Sequence, residues 1–497
     1  ITKLKFSFDP QCIEHDQLYD KDSDLVIQAE ISILITVFLF FSNTITFAKI
    51  KLPSIIASNM VLQRNTTVKI WGWATPGEKI TLTGSWISEP LKVTTPENGR
   101  WEIAIKTTLS KEPQSIQLKS NQSNINLDNI LFGEVWICSG QSNMRMPLKG
   151  FTGQPTFEGN LSVATSKNYN LRLFSISENG SPTPLDSLSN YKKWEIASPE
   201  TSKDFSAVAY FYGKQLQAIL DVPIGLIMTS WGGTRIQPWI SKEAIAPFLE
   251  VNKVKKDTTE KYKRIPSAIF NAMINPITSY TIKGAIWYQG ETNRDEPKMY
   301  QKLLPEMVKD WRKQWNIGDF PFYYVQIAPN KYIDKSNSQY LREAQLKALD
   351  FIPNSGMAVL SDIGSDATIH PPRKKEVAER LLLLALNKTY GMKDVDCAGP
   401  IFKSMTEKEG ALFLNFDNAE TGIFSTETAI SCFEIAGEDK IFYPAKAEII
   451  GHKQIKVSSA DVKVPVAVRY GWYNWFVGTL YDNNMLPASS FRTDDWE

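Results

Sequence analysis

Two side chains in this sequence have the type and surroundings for nucleophilic acyl chemistry. They are Ser142, in Gly140-Gln141-Ser142-Asn143-Met144, and His370, in Ile369-His370-Pro371. A serine hydroxyl attacks a carbonyl when a base takes its proton and donors are aimed at the oxyanion that forms. The chain has 3 histidines, so the base is sought among His15, His370 and His452. His15 lies in a polar leader and His452 in a β-hairpin context, whereas His370 follows a strand-like run at 357–360 and precedes a helical run at 373–387. Ser142 follows the apolar run 135–138, and Ser139-Gly140 lets the chain turn sharply and present the serine at the turn or the head of a helix. A serine there also reads as a plain helix cap. Two other strand-like runs end in polar, glycine-containing turns: Ser230-Trp231-Gly232-Gly233-Thr234, and Gln289-Gly290-Glu291-Thr292-Asn293. Strand ends of this kind gather at the edge of an open α/β sheet where ligands bind.

The elements that must position these residues follow from the pattern along the chain. Residues 1–48 form a leader, polar and acidic at first, with an apolar run at 31–41 and small residues at Thr46 and Ala48. The run has the length of a signal-segment core, and cleavage after Ala48 predicts an exported protein, with membrane contact only if the leader stays uncleaved. Residues 49–130 alternate apolar and polar side chains between Pro-Gly and Asn-Gly turns, the pattern of a small β-sandwich. From 131 to 395, strands at 224–228, 284–288 and 322–327 alternate with helical stretches at 205–220 and 300–315. That order predicts a parallel α/β sheet with helices on both faces. From 396 to 497 the helices stop and a C-terminal β unit follows, expected to pack on the catalytic domain.

Bulk properties exclude several function classes. A net charge of +1 gives no electrostatic reason to expect nucleic acid as a partner. The 4 cysteines have no CxxC spacing and no HExxH is present, so no zinc site, other metal or cofactor is expected. A Cys397–Cys432 disulfide stays open for an exported chain.

The motif around Ser142 is not the G-x-S-x-G elbow, since Met144 stands two residues after the serine. It resembles block I of the SGNH hydrolases, and specifically the sialate O-acetylesterase-like family of carbohydrate esterases. The resemblance is carried by residues 140–144, 230–234, 287–293 and 362–371, with Phe433-Glu434-Ile435-Ala436-Gly437 and the closing Phe491-Arg492-Thr493-Asp494-Asp495-Trp496, and it spans about 49–497. It implies an SGNH-hydrolase-like (flavodoxin-like) catalytic domain with Ser142 as nucleophile and His370 as general base. The oxyanion would be held by the backbone N–H groups of Ser142 and Gly233 and by the side chain of Gln289, with Asn293 as the alternative. Glu291 reads as a structural hydrogen-bond partner. Many SGNH hydrolases carry an aspartate three residues before the histidine, where this chain has Ala367. Asp366 is ranked first as the orienting acid, Asp362 second, and a Ser–His dyad oriented by a backbone carbonyl stays open.

The family usually has a carboxylate after Ser-Asn-Met, whereas this chain has Arg145. Arg235, Trp231 and Arg342 are the candidates for binding substrate, with Trp239, Trp472 and Trp475 as further rings that could stack on a sugar. The resemblance implies removal of O-acetyl groups from a carbohydrate, with O-acetylated sialic acid as the leading substrate and acetylated xylan or another plant glycan as the runner-up. A non-catalytic glycan-binding protein on the same fold is the contrasting expectation.

Overall fold

The computed structural model describes residues 49–249, 262–332 and 337–496; the apolar run at 31–41 and the cleavage position after Ala48 lie outside them. Alternating side chains along extended backbone give each strand two faces, and turn residues decide where each strand stops. At the N-terminal end this produces β1 (Val61–Gln63), β2 (Thr67–Trp73), β3 (Lys79–Gly84), β4 (Leu91–Thr94), β5 (Arg100–Lys106), β6 (Gln114–Lys119) and β7 (Asn124–Gly140). β2 pairs with β5, while β3 joins β4 and β6, and β6 passes to β7. Ile70, Ile103, Ile80, Leu82 and Leu118 from these strands share one buried cluster.

β7 is 17 residues long. Its first part pairs antiparallel with β6, and its second part runs parallel between β10 (Ile224–Ser230) and β11 (Gly284–Tyr288). The position 130/131, where the sequence changes rhythm, therefore falls inside a strand. Ile50–Glu497 form one unit.

With β8 (Asn168–Ile176), β9 (Tyr191–Ala197), β12 (Phe322–Val325) and β13 (Ser355–Ala358), the central order is β13-β12-β11-β7-β10-β8-β9. Every pairing along this path is parallel except that of β9, which runs antiparallel to β8 at the edge. The sheet is thus mixed rather than purely parallel. An antiparallel strand can attach at the edge because β8 and β9 are joined without a crossover helix.

Helices α1 (Ser142–Arg145), α2 (Ala207–Leu220), α3 (Pro297–Trp315), α4 (Ser338–Ala348) and α5 (Lys374–Lys388) complete the layers. Along the central strands, Ile137, Ala285, Trp287, Phe322 and Tyr324 pack with Leu303, Met307, Trp311 and Leu341 of α3 and α4. Their neighbours in the pleat, Trp136, Cys138, Ile286, Tyr288 and Tyr323, pack with α2 and α5. The two-residue period therefore divides helices between the faces, as the strand–helix rhythm predicts.

The chain leaves β7 toward β8 on one side and returns by β11 to the other. β7 is therefore the switch strand, and the end of such a strand is where an open sheet opens a crevice. Antiparallel strands from Ile401 to Arg492 form the C-terminal unit. It is fastened to the central layers by Ser361 Oγ to Ala488 O at 2.9 Å and Gln326 Nε2 to Ser489 Oγ at 2.8 Å. Cys138, Cys397 and Cys432 are free thiols, so the 397–432 disulfide does not form. Among the described residues, no helix is long and apolar enough to cross a membrane.

Candidate active site

Gly140 ends β7 at φ +140°, and a Cβ there would lie 2.1 Å from Tyr288 O, so only glycine lets the strand turn this close to β11. The next residues form the single turn α1 with Ser142 at its head, where first-turn N–H groups have no intrahelical acceptor. The loop after β10 comes to the same place: a Cβ on Gly232 would sit 3.4 Å from Ser142 Cβ. Gly233 follows at φ +72°. The structure thus brings Gly232 against the serine, with Gly233 next in the chain.

His370 reaches this edge from the loop after β13. Asn143, the neighbour of Ser142, donates through Nδ2 to Ile369 O at 3.0 Å, tying the Ser142 turn to the residue before the histidine. The Nδ1 atom of His370 meets Gln154 Oε1 at 2.5 Å, and Phe151 packs its ring edgewise on the imidazole at 5.4 Å between centroids. Nε2 is buried without a hydrogen-bond partner, the state of a nitrogen left available to a serine hydroxyl or a substrate. Burial first, then the charge of Lys374, lowers the pKa of this histidine to about 4, which keeps it neutral and able to accept a proton near neutrality.

Neither predicted acid meets the ring. Asp362 is held by Arg380 in two bonds of 2.7 Å each, and Asp366 is exposed with no hydrogen bond or ion pair among the described residues. The side chain that meets Nδ1 is Gln154, which sequence reasoning missed. It is presented by a tight turn in which Phe151 and Gln154 exchange backbone bonds of 2.9 Å around Thr152-Gly153, with Gly153 at φ +70°. Thr368 Oγ1 also donates to Gln154 Oε1, at 3.1 Å. The Gly-x-x-Gly spacing at 150–153 signalled a turn, but nothing in it signalled a partner 216 residues away.

The two side-chain candidates for the oxyanion are also occupied. Gln289 Nε2 spends its hydrogens on Thr234 O at 3.0 Å and Asn293 Oδ1 at 2.8 Å. Asn293 spends its own on Gln237 Oε1 and Glu296 Oε1. A planar amide has two N–H bonds, so neither nitrogen has one left for a ligand. These residues tie the turns after β10 and β11 to each other.

Of the substrate-binding candidates, Arg342 is fully buried and far from any ligand role. Its guanidinium bonds Ser338 Oγ at 3.0 Å, Ser490 Oγ at 3.1 Å, and the carbonyls of Gly471 and Tyr473. It joins α4 to the C-terminal unit, and burial lowers its pKa to about 10. Arg235 is taken by Asp295 and Glu296, each at 2.6 Å. Trp231 is half-buried on the core behind Gly232, and Trp239 and Trp472 are buried.

A cleft of about 610 Å³ is lined by Arg145, Lys149, Phe151, Glu178, Lys192 and Asp204 among others; Phe151 is the ring that packs on His370, and Arg145 ends the turn that Ser142 heads. Arg145 pairs with Glu178, and Lys149 pairs with Asp204 at 2.6 Å. Three cations therefore stand against two carboxylates in its wall, and Lys192 supplies the excess.

A family model described as carbohydrate esterase, sialic acid-specific acetylesterase, matches residues 132–373. The sialate O-acetylesterase of Mus musculus is 29% identical over 520 residues, covering 89% of this chain and 94% of the mouse protein. That of Homo sapiens is 28% identical over 495 residues, covering 89% and 92%. The crystal structure of a carbohydrate acetylesterase from Xanthomonas citri superposes with a TM-score of 0.82 at 32% identity, covering 90% of this chain and all (100%) of that one.

Proposed function

We propose that this chain, which belongs to the sialate O-acetylesterase-like family of carbohydrate esterases and is a carboxylic ester hydrolase, removes O-acetyl groups from an acidic sugar through an acetyl-enzyme on Ser142. The observation that carries the mechanism is the state of His370: Nδ1 fixed by Gln154, Nε2 buried and unpartnered, and its loop clamped to the residue beside Ser142.

In the first half-reaction the Ser142 oxygen bonds to the acetyl carbon while its proton passes to His370 Nε2. The tetrahedral oxyanion is met by the backbone N–H groups of Ser142 and Gly233, as expected from sequence, without the Gln289 or Asn293 side chain. Collapse breaks the bond to the sugar oxygen, and His370 returns the proton to that leaving alkoxide. Water, deprotonated by the same nitrogen, then releases acetate and restores the serine. Gln154 positions the ring: its carbonyl oxygen accepts from Nδ1–H, which leaves Nε2 as the basic nitrogen.

O-acetylated sialic acid is the leading substrate. It is named in the relatives' activity, and the excess cation in the cleft suits a sugar carboxylate. The parallel central strands with helices on both faces support an SGNH-hydrolase-like catalytic domain over 131–395, which shares β7 with the β unit at 49–130 and is followed by the β unit at 396–497. The protein is read as exported. The test is acetate release by the purified protein and by Ser142→Ala from O-acetylated sialic acid, acetylated xylan and an aryl acetate. Serine-dependent release favouring the sialic acid supports the proposal. Release from xylan alone overturns the substrate, and no release above the Ser142→Ala background overturns the esterase mechanism.

A further inference from the structure

The mechanism above leaves two buried ionisable groups beside the Ser142 turn unused, Lys374 and Glu291. Lys374, the first residue of α5, is completely buried, and its Nζ donates to Asn143 Oδ1. The ammonium also lies 5.4 Å from the centre of the Tyr288 ring. Asn143 in turn donates through Nδ2 to Glu291 Oε1 and to Ile369 O. The nucleophile turn, the turn after β11, the histidine loop and the start of α5 therefore meet at one amide.

An asparagine amide has two ends of nearly the same shape, and here only one orientation works. A cation on the oxygen and a carboxylate on the nitrogen both favour it, so the Nδ2 hydrogens point to Glu291 and Ile369. If the cation is removed, Oδ1 loses its donor, Glu291 loses one of the two cations, Lys374 and Arg294, that favour its charged form, and the hold on Ile369 O weakens. His370 is the next residue.

Resting on the esterase mechanism proposed above, we infer that Lys374 is a positioning residue of this site. Acting through Asn143 and with Glu291 as its counter-charge, it sets the His370 loop against Ser142 and holds a positive charge near the imidazole. The charged groups facing this cluster are Lys374 from α5 and Glu291 and Arg294 from the turn after β11. Arg373 is engaged with Glu376 at 2.7 Å, and Arg145 with Glu178. Around the ring itself, Gln154, Phe151 and Thr368 carry no charge.

Burial lowers the lysine pKa to about 7, with Glu291 opposing the fall, so the ammonium is present throughout the acid range where His370 titrates. Burial raises the Glu291 pKa, so this carboxyl is mostly protonated where His370 titrates, and Glu291→Gln changes little of the charge there. Lys374→Met removes a like charge from the imidazole and moves the acid limb of kcat/KM to higher pH, whereas Glu291→Gln leaves the limb near the wild-type position. A merely structural brace would weaken with either change and shift neither limb.

The experiment is the pH profile of aryl acetate hydrolysis for wild type, Lys374→Met, Lys374→Arg, Glu291→Gln and Ser142→Ala, with thermal melts of each. The expected results for Lys374→Met are a kcat at least about 10-fold lower, a KM changed less than about 3-fold, and an acid limb raised by roughly half a unit or more. Glu291→Gln and Lys374→Arg, which leave the positive charge in place, keep the limb near the wild-type position. An unshifted limb in folded Lys374→Met, or a limb raised as much in Lys374→Arg, overturns the inference. If Lys374→Met does not fold, Lys374→Gln, which keeps a donor for Asn143 Oδ1 without the charge, takes its place with the same expected rise, and an unshifted limb there overturns the inference. Failure of the esterase mechanism is read separately, as wild-type release no greater than that of Ser142→Ala.

Discussion

Replacing Gln154 by alanine removes the acceptor that lies 2.5 Å from His370 Nδ1, leaving the ring confined by Phe151 alone. While the serine attacks, the imidazole becomes an imidazolium, so that hydrogen bond changes from neutral to charge-assisted. A bond of this kind contributes roughly 1.5–3 kcal/mol. At about 1.36 kcal/mol per factor of ten, kcat for an aryl acetate should fall about 10- to 150-fold, with KM little changed because the bond strengthens in the transition state. Gln154→Glu puts a carboxylate in the same place, and an opposite charge favours the protonated ring.

The sign follows from which form works. The base must be neutral, so activity is lost as pH falls through the histidine pKa, held down at about 4 in the wild type by burial and then by Lys374. The wild type should therefore keep most of its kcat/KM down to roughly pH 5, and Gln154→Glu should lose its activity at a higher pH. The assay is aryl acetate hydrolysis from pH 4 to 8 with the melting temperature of each variant alongside. Full activity of a folded Gln154→Ala, with an unmoved acid limb in Gln154→Glu, would refute the role given to this glutamine.

Two further outcomes concern the frame of the site. Arg342→Met should destabilise the protein by about 3 kcal/mol or more, because the bonds to Ser338, Ser490, Gly471 and Tyr473 are lost together, and chemical denaturation measures it. Its KM should stay at the wild-type value, since this arginine touches no part of the cleft. Gly140→Ala should yield no folded enzyme, as its Cβ would need to occupy the space of Tyr288 O; solubility and circular dichroism check this.

The strand ends that carry the site were legible because their residues are local. The run 135–138, its glycine turn and Ser142 sit within one short stretch, and β10 and β11 begin and end close to where apolar runs meet glycine. The amphipathic stretch predicted at 300–315 appears as α3, Pro297–Trp315, with proline at its first turn as helix starts allow. Long-range facts were not legible. The spacing of Gln289 and Asn293 says that both follow a strand, not which way their amides point, and the structure spends both on neighbouring turns. Arg342 reads in sequence as a candidate for binding substrate, and its burial depends on a C-terminal unit that arrives more than a hundred residues later. The missing aspartate at position 367 was visible, but its replacement by an amide from the loop at 150–154 depends on tertiary packing alone. The continuity of β7 across position 130 was hidden because composition changes there while the backbone does not.

The central claim is that Ser142 is an activated nucleophile whose base is His370. It is tested most directly by reacting the purified protein with a fluorophosphonate and locating the adduct by mass spectrometry, beside His370→Ala and Ser142→Ala. The prediction is one adduct on Ser142, slowed by orders of magnitude in His370→Ala and absent in Ser142→Ala. Labelling of another residue, or equal labelling of the wild type and His370→Ala, would contradict it.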